Sequence, residues 1–427
     1  MSHFAPSGGV QRLPRRILTL TSLFPSPARP RHGIFVRTRL AQLLRDYPLN
    51  CRVIAPVPWF PLDWPVFGSY AKFAATPRNA VLDDGLQVSY PRYAMVPKLG
   101  VALQPDAMAR AAMADIELLS DSGWQPDLID AHYFYPDGVA AAIVAEKLKL
   151  PLVITARGTD VNVLARMPGP GKRILWAAAR AASVLAVSNR LREALLALGV
   201  EASKVAVLRN GVDAELFRPV GTATARKRIG LPGGPCALCV GNLVEEKGFA
   251  LAVQALAHLG AWRLVLVGDG PQRNALERLA RRLNVAERVT FRETMAQREL
   301  PDLYSAADVL LLTSTREGWP NVVLESLACG TPVVAVDVGA VGEMLTSKDV
   351  GRIVATREPA QLAEAVEDLM RLRPARDQVR AHALQFDWAT VSKVQFELFM
   401  RLCNEPNARA ANPVASLCMA IGARDAS

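Results

Sequence analysis

A chain of 427 residues is too long for one ordinary domain, and its 51% apolar content suffices for two or three cores. No apolar run reaches membrane-spanning length. The best candidate, Ile174 to Val187, is interrupted by Arg180, and the Ile17–Leu20 segment is too short for a signal peptide. An integral membrane protein and a secreted one are therefore set aside, and a cytoplasmic protein is expected. The formal charge of +10 is uneven: residues 1–205 hold 24 Lys/Arg against 15 Asp/Glu, residues 206–427 hold 26 against 25, so +9 lies in the first half. Such a half suits an anionic ligand, a membrane surface or simply a solvated face. Nucleic acid is disfavoured because no recognition motif accompanies the charge. Six cysteines give no disulfide framework. Cys236 and Cys239 lie in an apolar run without a second pair, which reads as a strand and not as a zinc site.

Residues 1–14 read as a loose leader. Arg15–Leu20 predicts a strand, Phe24–Arg31 a proline-rich loop, Phe35–Asp46 a helix and Arg52–Ala55 a second strand. This is a βαβ opening in which Gly33 would let backbone approach a ligand over the strand ends. Residues 59–73 hold six aromatics (Trp59, Phe60, Trp64, Phe67, Tyr70, Phe73) beside Lys72 and Arg78. They suit a membrane interface or lipid-like ligand, and equally a long loop folded onto its own domain. A helix is expected over 106–120, a strand over 126–130 with His132 just past it, and an alanine-rich helix over 139–149. Then come strand 152–155, strand 183–187, helix 189–198 and strand 205–208. Strand and helix alternating at this spacing predict a parallel, doubly wound sheet.

The turn Asn210–Asp213 and the polar stretch to Gly234 mark a boundary. A second α/β domain starts afresh, with strands over 236–240, 263–267, 288–291, 308–313 and 333–336. Its helices are expected over 249–259, 271–283, 299–306 and 359–372, with a last helix over 388–402. The expected division is 1–209, 210–385, a helix at 386–403 returning to the first domain, and a loose tail at 404–427.

Three groups of residues could carry chemistry. Ser314 to Pro332 contains a short helix between two apolar strands. Pro320 suits its first position and Gly330 with Pro332 its stop. Glu317 precedes this helix and Glu325 lies in it on the face of Asn321. A loop, a helix N-terminus and nearby carboxylates suit a phosphate ester bearing hydroxyls. The plain alternative is a strand–helix–strand unit whose glutamates face water. Val240 to Gly248 is a strand-to-helix turn in which Gly241 allows close backbone approach and Lys247 can neutralise a diphosphate. It is not a Walker loop. His132 is the first domain's histidine at a strand end, where ligands gather in such sheets. No Asp-x-Asp pair or His/Cys cluster appears, so neither a metal nor another cofactor is expected.

Taken together, these motifs resemble the family 4 retaining glycosyltransferases of the GT-B fold. Glu317 to Glu325 looks like that family's paired-glutamate signature. Asn210-Gly-Val-Asp213 with Phe217 and Pro219 resembles its interdomain segment. Val240–Gly248, Val267–Pro271 and Leu327–Val334 resemble further motifs in order. Gly33–Arg39, His132–Gly138 and Ala156–Asp160 are most similar to the teichuronic-acid-biosynthesis type. The resemblance implies two doubly wound Rossmann-like domains facing across a cleft. It implies a retaining transfer of sugar from a nucleoside-diphosphate sugar to a hydroxyl of a glycan or lipid-linked acceptor, in cell-surface polysaccharide synthesis. Lys247 would hold the donor diphosphate and Glu325 the ribose. Glu317 with the backbone of Gly318, Trp319, Pro320 and Asn321 would meet the transferred sugar. Gly33 would approach the phosphates, and His132 would be the catalytic-site histidine. Gly241 and Asn242 complete the donor side. The family commonly has arginine where Asn242 stands and His-Gly where Arg157-Gly158 stands, so Arg157 is a candidate substitute cation. The enzyme would be cytoplasmic or held at the anionic inner face of the membrane. Two alternatives stand beside this: a non-catalytic protein of the same shape, and a nicotinamide-dependent oxidoreductase. Against the latter, Gly268-Asp-Gly270 is not followed by the third glycine that the G-x-G-x-x-G fingerprint requires.

Overall fold

The computed structural model describes residues 14–64, 66, 68–95 and 102–405. The expectations for most of the leader, for Phe67 and for most of the C-terminal tail fall outside these residues. Among the described residues no helix is long and apolar enough to cross a membrane.

Two sheets organise the chain. One has eight strands, in the order Val205–Val207, Ser183–Ala186, Leu152–Ala156, Leu128–His132, Arg16–Leu20, Asn50–Ile54, Gln87–Ser89 and Asn79–Val81. Only the last pairing is antiparallel. The other has six parallel strands, in the order Val289–Arg292, Arg263–Val267, Cys236–Val240, Val309–Leu312, Val333–Val336 and Gly351–Val354. Strands such as Leu152–Ala156 and Val333–Val336 are buried along their whole length. That is why they read as continuous apolar runs without alternation: parallel strands have helices on both faces. Cys236 and Cys239 are buried free thiols in such a strand.

Most of the described chain up to Thr155 forms one compact unit together with Trp176–Ser183 and the segment from Gln395. Ala156–Leu175 and Val184–Val394 form a second. The core of the second unit joins helices Phe249–Leu256 and Pro359–Leu372 to its sheet through Leu251, Leu256, Leu362, Val366 and Leu369.

Several elements escaped the sequence reading. Pro168–Arg180 is a helix although it opens Pro-Gly-Pro-Gly, a composition that reads as a loop. Thr222–Ile229, expected as linker, is a helix with only Ala225 buried. Arg226 holds it, donating to the Ala306 carbonyl at 2.9 Å and to Asp308 at 2.8 Å. Strand Gly351–Val354 and helix Arg376–Ala383 were also missed. The helix of the Glu317–Glu325 motif is Asn321–Ala328, so Pro320 caps it one position earlier than expected. Its end is as expected: Gly330 at φ 76 lets the Gly330 and Thr331 amides reach back to the Leu327 and Ser326 carbonyls, a Schellman closure. His132 is the last residue of its strand and does not lie beyond it.

Candidate active site

Two glycine turns form the floor of the site in the second unit. Strand Cys236–Val240 runs into Gly241 at φ 154, and strand Arg263–Val267 into Gly268 at φ 145. The Gly241 amide donates to the Val267 carbonyl at 3.0 Å and the Leu243 amide to the Asp269 carbonyl at 2.9 Å. A Cβ at Gly268 would stand 1.9 Å from the Gly241 carbonyl oxygen, and one at Gly270 2.4 Å from that of Leu243. The Gly-Asp-Gly turn therefore buttresses the first turn, which explains its glycines without any ligand. Gly268→Ala combines a backbone clash with an unfavourable φ. It should lower stability by about 1–3 kcal/mol, read as a lower thermal midpoint, whereas a wild-type midpoint would refute the buttress.

Beyond the first turn, Glu245–Lys247 makes a single tight turn and Gly248, at φ 60, starts helix Phe249–Leu256. A Cβ on Gly248 would meet the Thr313 carbonyl at 2.2 Å. The loops around 246–248 and 313–317 are stitched together. The Thr315 amide donates to the Glu246 carbonyl at 2.7 Å, and the Thr313 hydroxyl to the Lys247 carbonyl at 3.1 Å. Arg357 donates to the carbonyls of Thr313 and Ser314, both at 2.9 Å. Held this way, Lys247 Nζ lies 2.7 Å from Glu317 Oε1, which also accepts from the Ser314 hydroxyl at 2.7 Å. Two residues 70 positions apart, singled out separately in the sequence, thus meet as an ion pair.

The backbone at Gly318 is close-packed: a Cβ there would lie 1.9 Å from the Arg157 carbonyl oxygen. Gly158, at φ 136, faces Gly318 in turn. Buried Asp160 accepts from the amides of Arg157 and Gly158 and sets this bend. The Arg157 guanidinium donates to Asn210 Oδ1 at 3.0 Å, and Asn210 Nδ2 donates to Asn321 Oδ1 at 3.2 Å. Arg157 is thereby tied, through Asn210, to the start of helix Asn321–Ala328. Asn242 is exposed beside Gly241. Trp319 is turned inward, 7% exposed and 5.9 Å from the Phe386 ring, so its backbone and not its indole is presented at the loop.

Glu325 is also turned inward. Its Oε2 accepts from the Tyr304 hydroxyl at 2.7 Å. Burial raises its pKa to about 7, against the lowering effect of hydrogen bonds from Tyr304 and Gln297. Tyr304, wholly buried, is held far above the usual tyrosine range by that burial.

In the first unit, Gly33 caps helix Ile34–Asp46 at φ 66, and a Cβ there would meet the Leu23 carbonyl at 2.1 Å. The loop it supports is tied down by Asp137, which accepts from the Ser22 amide and hydroxyl. His132 is 2% exposed, with Nε2 3.1 Å from Asp130 Oδ2.

The structure thus gathers Gly241, Asn242, Lys247, Glu317, Gly318, Pro320, Asn321 and Arg157 in the second unit, and turns the side chains of Trp319 and Glu325 inward. Ser314 and Asn210 lay in motifs the sequence singled out, but without a role for either, whereas Tyr304 and Arg357 were missed, since nothing near them in the chain signals their contacts.

Comparison with known proteins assigns the family. A profile described as "Glycosyl transferases group 1" matches residues 222–386, and one described as "Glycosyltransferase Family 4" matches residues 66–216. The putative teichuronic acid biosynthesis glycosyltransferase TuaC of Bacillus subtilis is 32% identical over 384 residues, covering 87% of this chain and 95% of the relative. A D-inositol 3-phosphate glycosyltransferase of Acidothermus cellulolyticus is 33% identical over 314 residues, covering 65% and 67%. Among solved structures, sucrose-phosphate synthase from Thermosynechococcus elongatus superposes with a TM-score of 0.73 at 22% identity, covering 91% of this chain and 99% of that one. Anabaena HepE in complex with UDP gives 0.70 at 22%, covering 91% and 100%. These likenesses show a GT-B glycosyltransferase fold, and the chain belongs to the group 1, family 4 glycosyltransferases.

Proposed function

We propose that this glycosyltransferase moves a sugar, with retention of configuration, from a nucleoside-diphosphate sugar to a hydroxyl of a glycan or lipid-linked acceptor in cell-surface polysaccharide synthesis. The observation that carries the reading is the Lys247–Glu317 pair, 2.7 Å apart where two loops meet beside the start of helix Asn321–Ala328. A cation and free amides there suit a diphosphate, and the adjoining carboxylate suits sugar hydroxyls. We assign the nucleotide sugar to residues 210–385, with Lys247, Gly241, Asn242 and Arg157 on the phosphates and Glu317 with the 318–321 backbone on the sugar. The acceptor side is assigned to residues 1–209, with the Gly33 turn and His132 as its contributions. The named activity of TuaC and the UDP and UDP-glucose held by HepE support the donor and acceptor classes.

In this reading the bond from the anomeric carbon to the diphosphate oxygen breaks as the acceptor oxygen bonds the same carbon on the same face. The acceptor proton passes to the leaving phosphate oxygen. Lys247 and helix amides meet the charge that grows on the diphosphate, the electrostatic contribution that usually dominates. The charge is met without a metal, so the rate after EDTA treatment should equal the untreated rate. A thermal-shift screen of nucleotide sugars tests the whole reading, because a ligand that binds only the folded state raises the melting point. No shift with any nucleotide sugar would overturn it.

The enzyme is further proposed to dock on an anionic membrane face. Trp59, Trp64 and Val66 are 59%, 61% and 82% exposed. Their neighbours are folded inward, with Phe60 on Tyr70, Tyr70 on Phe73, and Arg29 over the Phe73 ring. Replacing both Trp59 and Trp64 with alanine should abolish flotation with anionic liposomes at low salt while leaving transfer to a soluble acceptor intact. Unchanged flotation would remove these residues from the interface.

A further inference from the structure

The first unit contains a line of buried polar side chains, leading to His132, to which the proposed chemistry gives no role of its own. Arg39, on helix Ile34–Asp46, is 1% exposed and donates through Nε to Gln395 Oε1 at 2.8 Å. Gln395, on the last helix Trp388–Asn404 and also 1% exposed, donates through Nε2 to Asp130 Oδ2 at 3.3 Å. That same oxygen is 3.1 Å from His132 Nε2. Asp130 and His132 are two apart on strand Leu128–His132, so they share one face of the sheet.

The chemistry of the line is directional. A guanidinium can only donate and an ionised carboxylate can only accept, so the residue between them must accept on one side and donate on the other. A glutamine amide does both in a single orientation. An unpaired carboxylate so deeply buried would be costly. Arg39 supplies the compensating charge: burial lowers its pKa to about 10 and the Asp130 charge opposes that shift, so it stays a cation at neutral pH. An acceptor-only partner at Nε2 requires the hydrogen to reside there and fixes both the tautomer and the ring plane.

We propose that Gln395 and Arg39 are positioning residues that hold Asp130, and through it fix the tautomer and orientation of His132. The inference rests, for its effect on catalysis, on the assignment of His132 to the transfer reaction. The physical role of the arrangement is that of an outer partner orienting a functional imidazole.

The test is Gln395→Met, which keeps the volume and removes both hydrogen bonds. Gln395→Asn, one methylene shorter, serves should the methionine variant not fold. Two readouts are needed: NMR of the histidine ring nitrogens, with His132 identified by loss of its signals in His132→Gln, and steady-state transfer kinetics. In the wild type, His132 should show the Nε2-protonated tautomer. In the variant its ring signals should move toward a mixture of tautomers, and kcat should fall about ten- to a hundredfold with the donor KM within about twofold. Shifted ring signals with unchanged kcat would support the positioning and overturn the catalytic assignment of His132. Ring signals identical to wild type, even with a lowered melting point, would overturn the proposal and leave Gln395 as a packing residue.

Discussion

Lys247→Ala is expected to lower kcat by about a hundred- to a thousandfold, the range seen when one preorganised donor to a developing oxyanion is removed. The charge on the leaving diphosphate grows as the glycosidic bond breaks, so its attraction to the ammonium is larger in the transition state than in the bound donor. The loss should therefore fall on kcat more than on KM. Without donor, the ammonium is neutralised by Glu317 at 2.7 Å, and the Ser314 hydroxyl donates to the same carboxylate oxygen and helps hold it in place. The fold should barely notice the substitution. The pair is partly solvated, with the lysine side chain 30% exposed, and such pairs contribute about 0–1 kcal/mol. Thermal unfolding and single-turnover transfer measured on the same preparation check both halves. A folded variant with wild-type turnover would remove the charge argument altogether.

The second large effect is on stability and concerns Glu325. Its carboxyl is buried against Tyr304, and burial raises its pKa to about 7, whereas in the unfolded chain it titrates near about 4.3. Between these values the folded state holds a proton that the unfolded state has released, so raising the pH favours unfolding. The associated stability is fully present below about pH 4.3 and lost as the pH rises through about 7. It amounts to roughly 4 kcal/mol for a shift of this size. Glu325→Gln keeps the shape and the Tyr304 hydrogen bond but cannot ionise. Relative to wild type it should gain stability between about pH 5 and about pH 8, read as the difference in melting point between the two proteins at each pH. A difference that does not change with pH would mean that the carboxyl is not buried in solution. In transfer assays the same variant should mainly weaken donor binding. A changed pH–rate profile with intact binding would instead mark Glu325 as an acid or base.

Much of this protein was legible as sequence because most of its signals are local. The run Val333–Val336 between turn signals reads as an interior parallel strand, and Gly330 followed by Pro332 reads as the end of a helix. The positions of Lys247, Glu317 and His132 at strand ends followed from the same alternation of strand and helix. Helix Thr222–Ile229 was illegible for the converse reason. It buries only Ala225 fully and is held by Arg226 bonding residues about 80 positions away. The inward turn of Glu325 was equally hidden. Its spacing of four from Asn321 predicts a place on that residue's face, yet Tyr304, from another helix, claims its carboxyl.

By itself, then, the sequence determined the α/β fold class, the family and the motif residues to which the proposed function assigns the donor, because hydrophobic periodicity, turn glycines and motif spacing are written along the chain. Tertiary structure alone decided that Lys247 and Glu317 form a pair, that the Gly268 turn is a buttress and that Glu325 lies against Tyr304. It alone decided that Gln395, 265 residues from Asp130, stands between Arg39 and that carboxylate. Each of these depends on which side chains meet across elements distant in sequence, and a buried charge or amide is set by such partners and not by its neighbours along the chain.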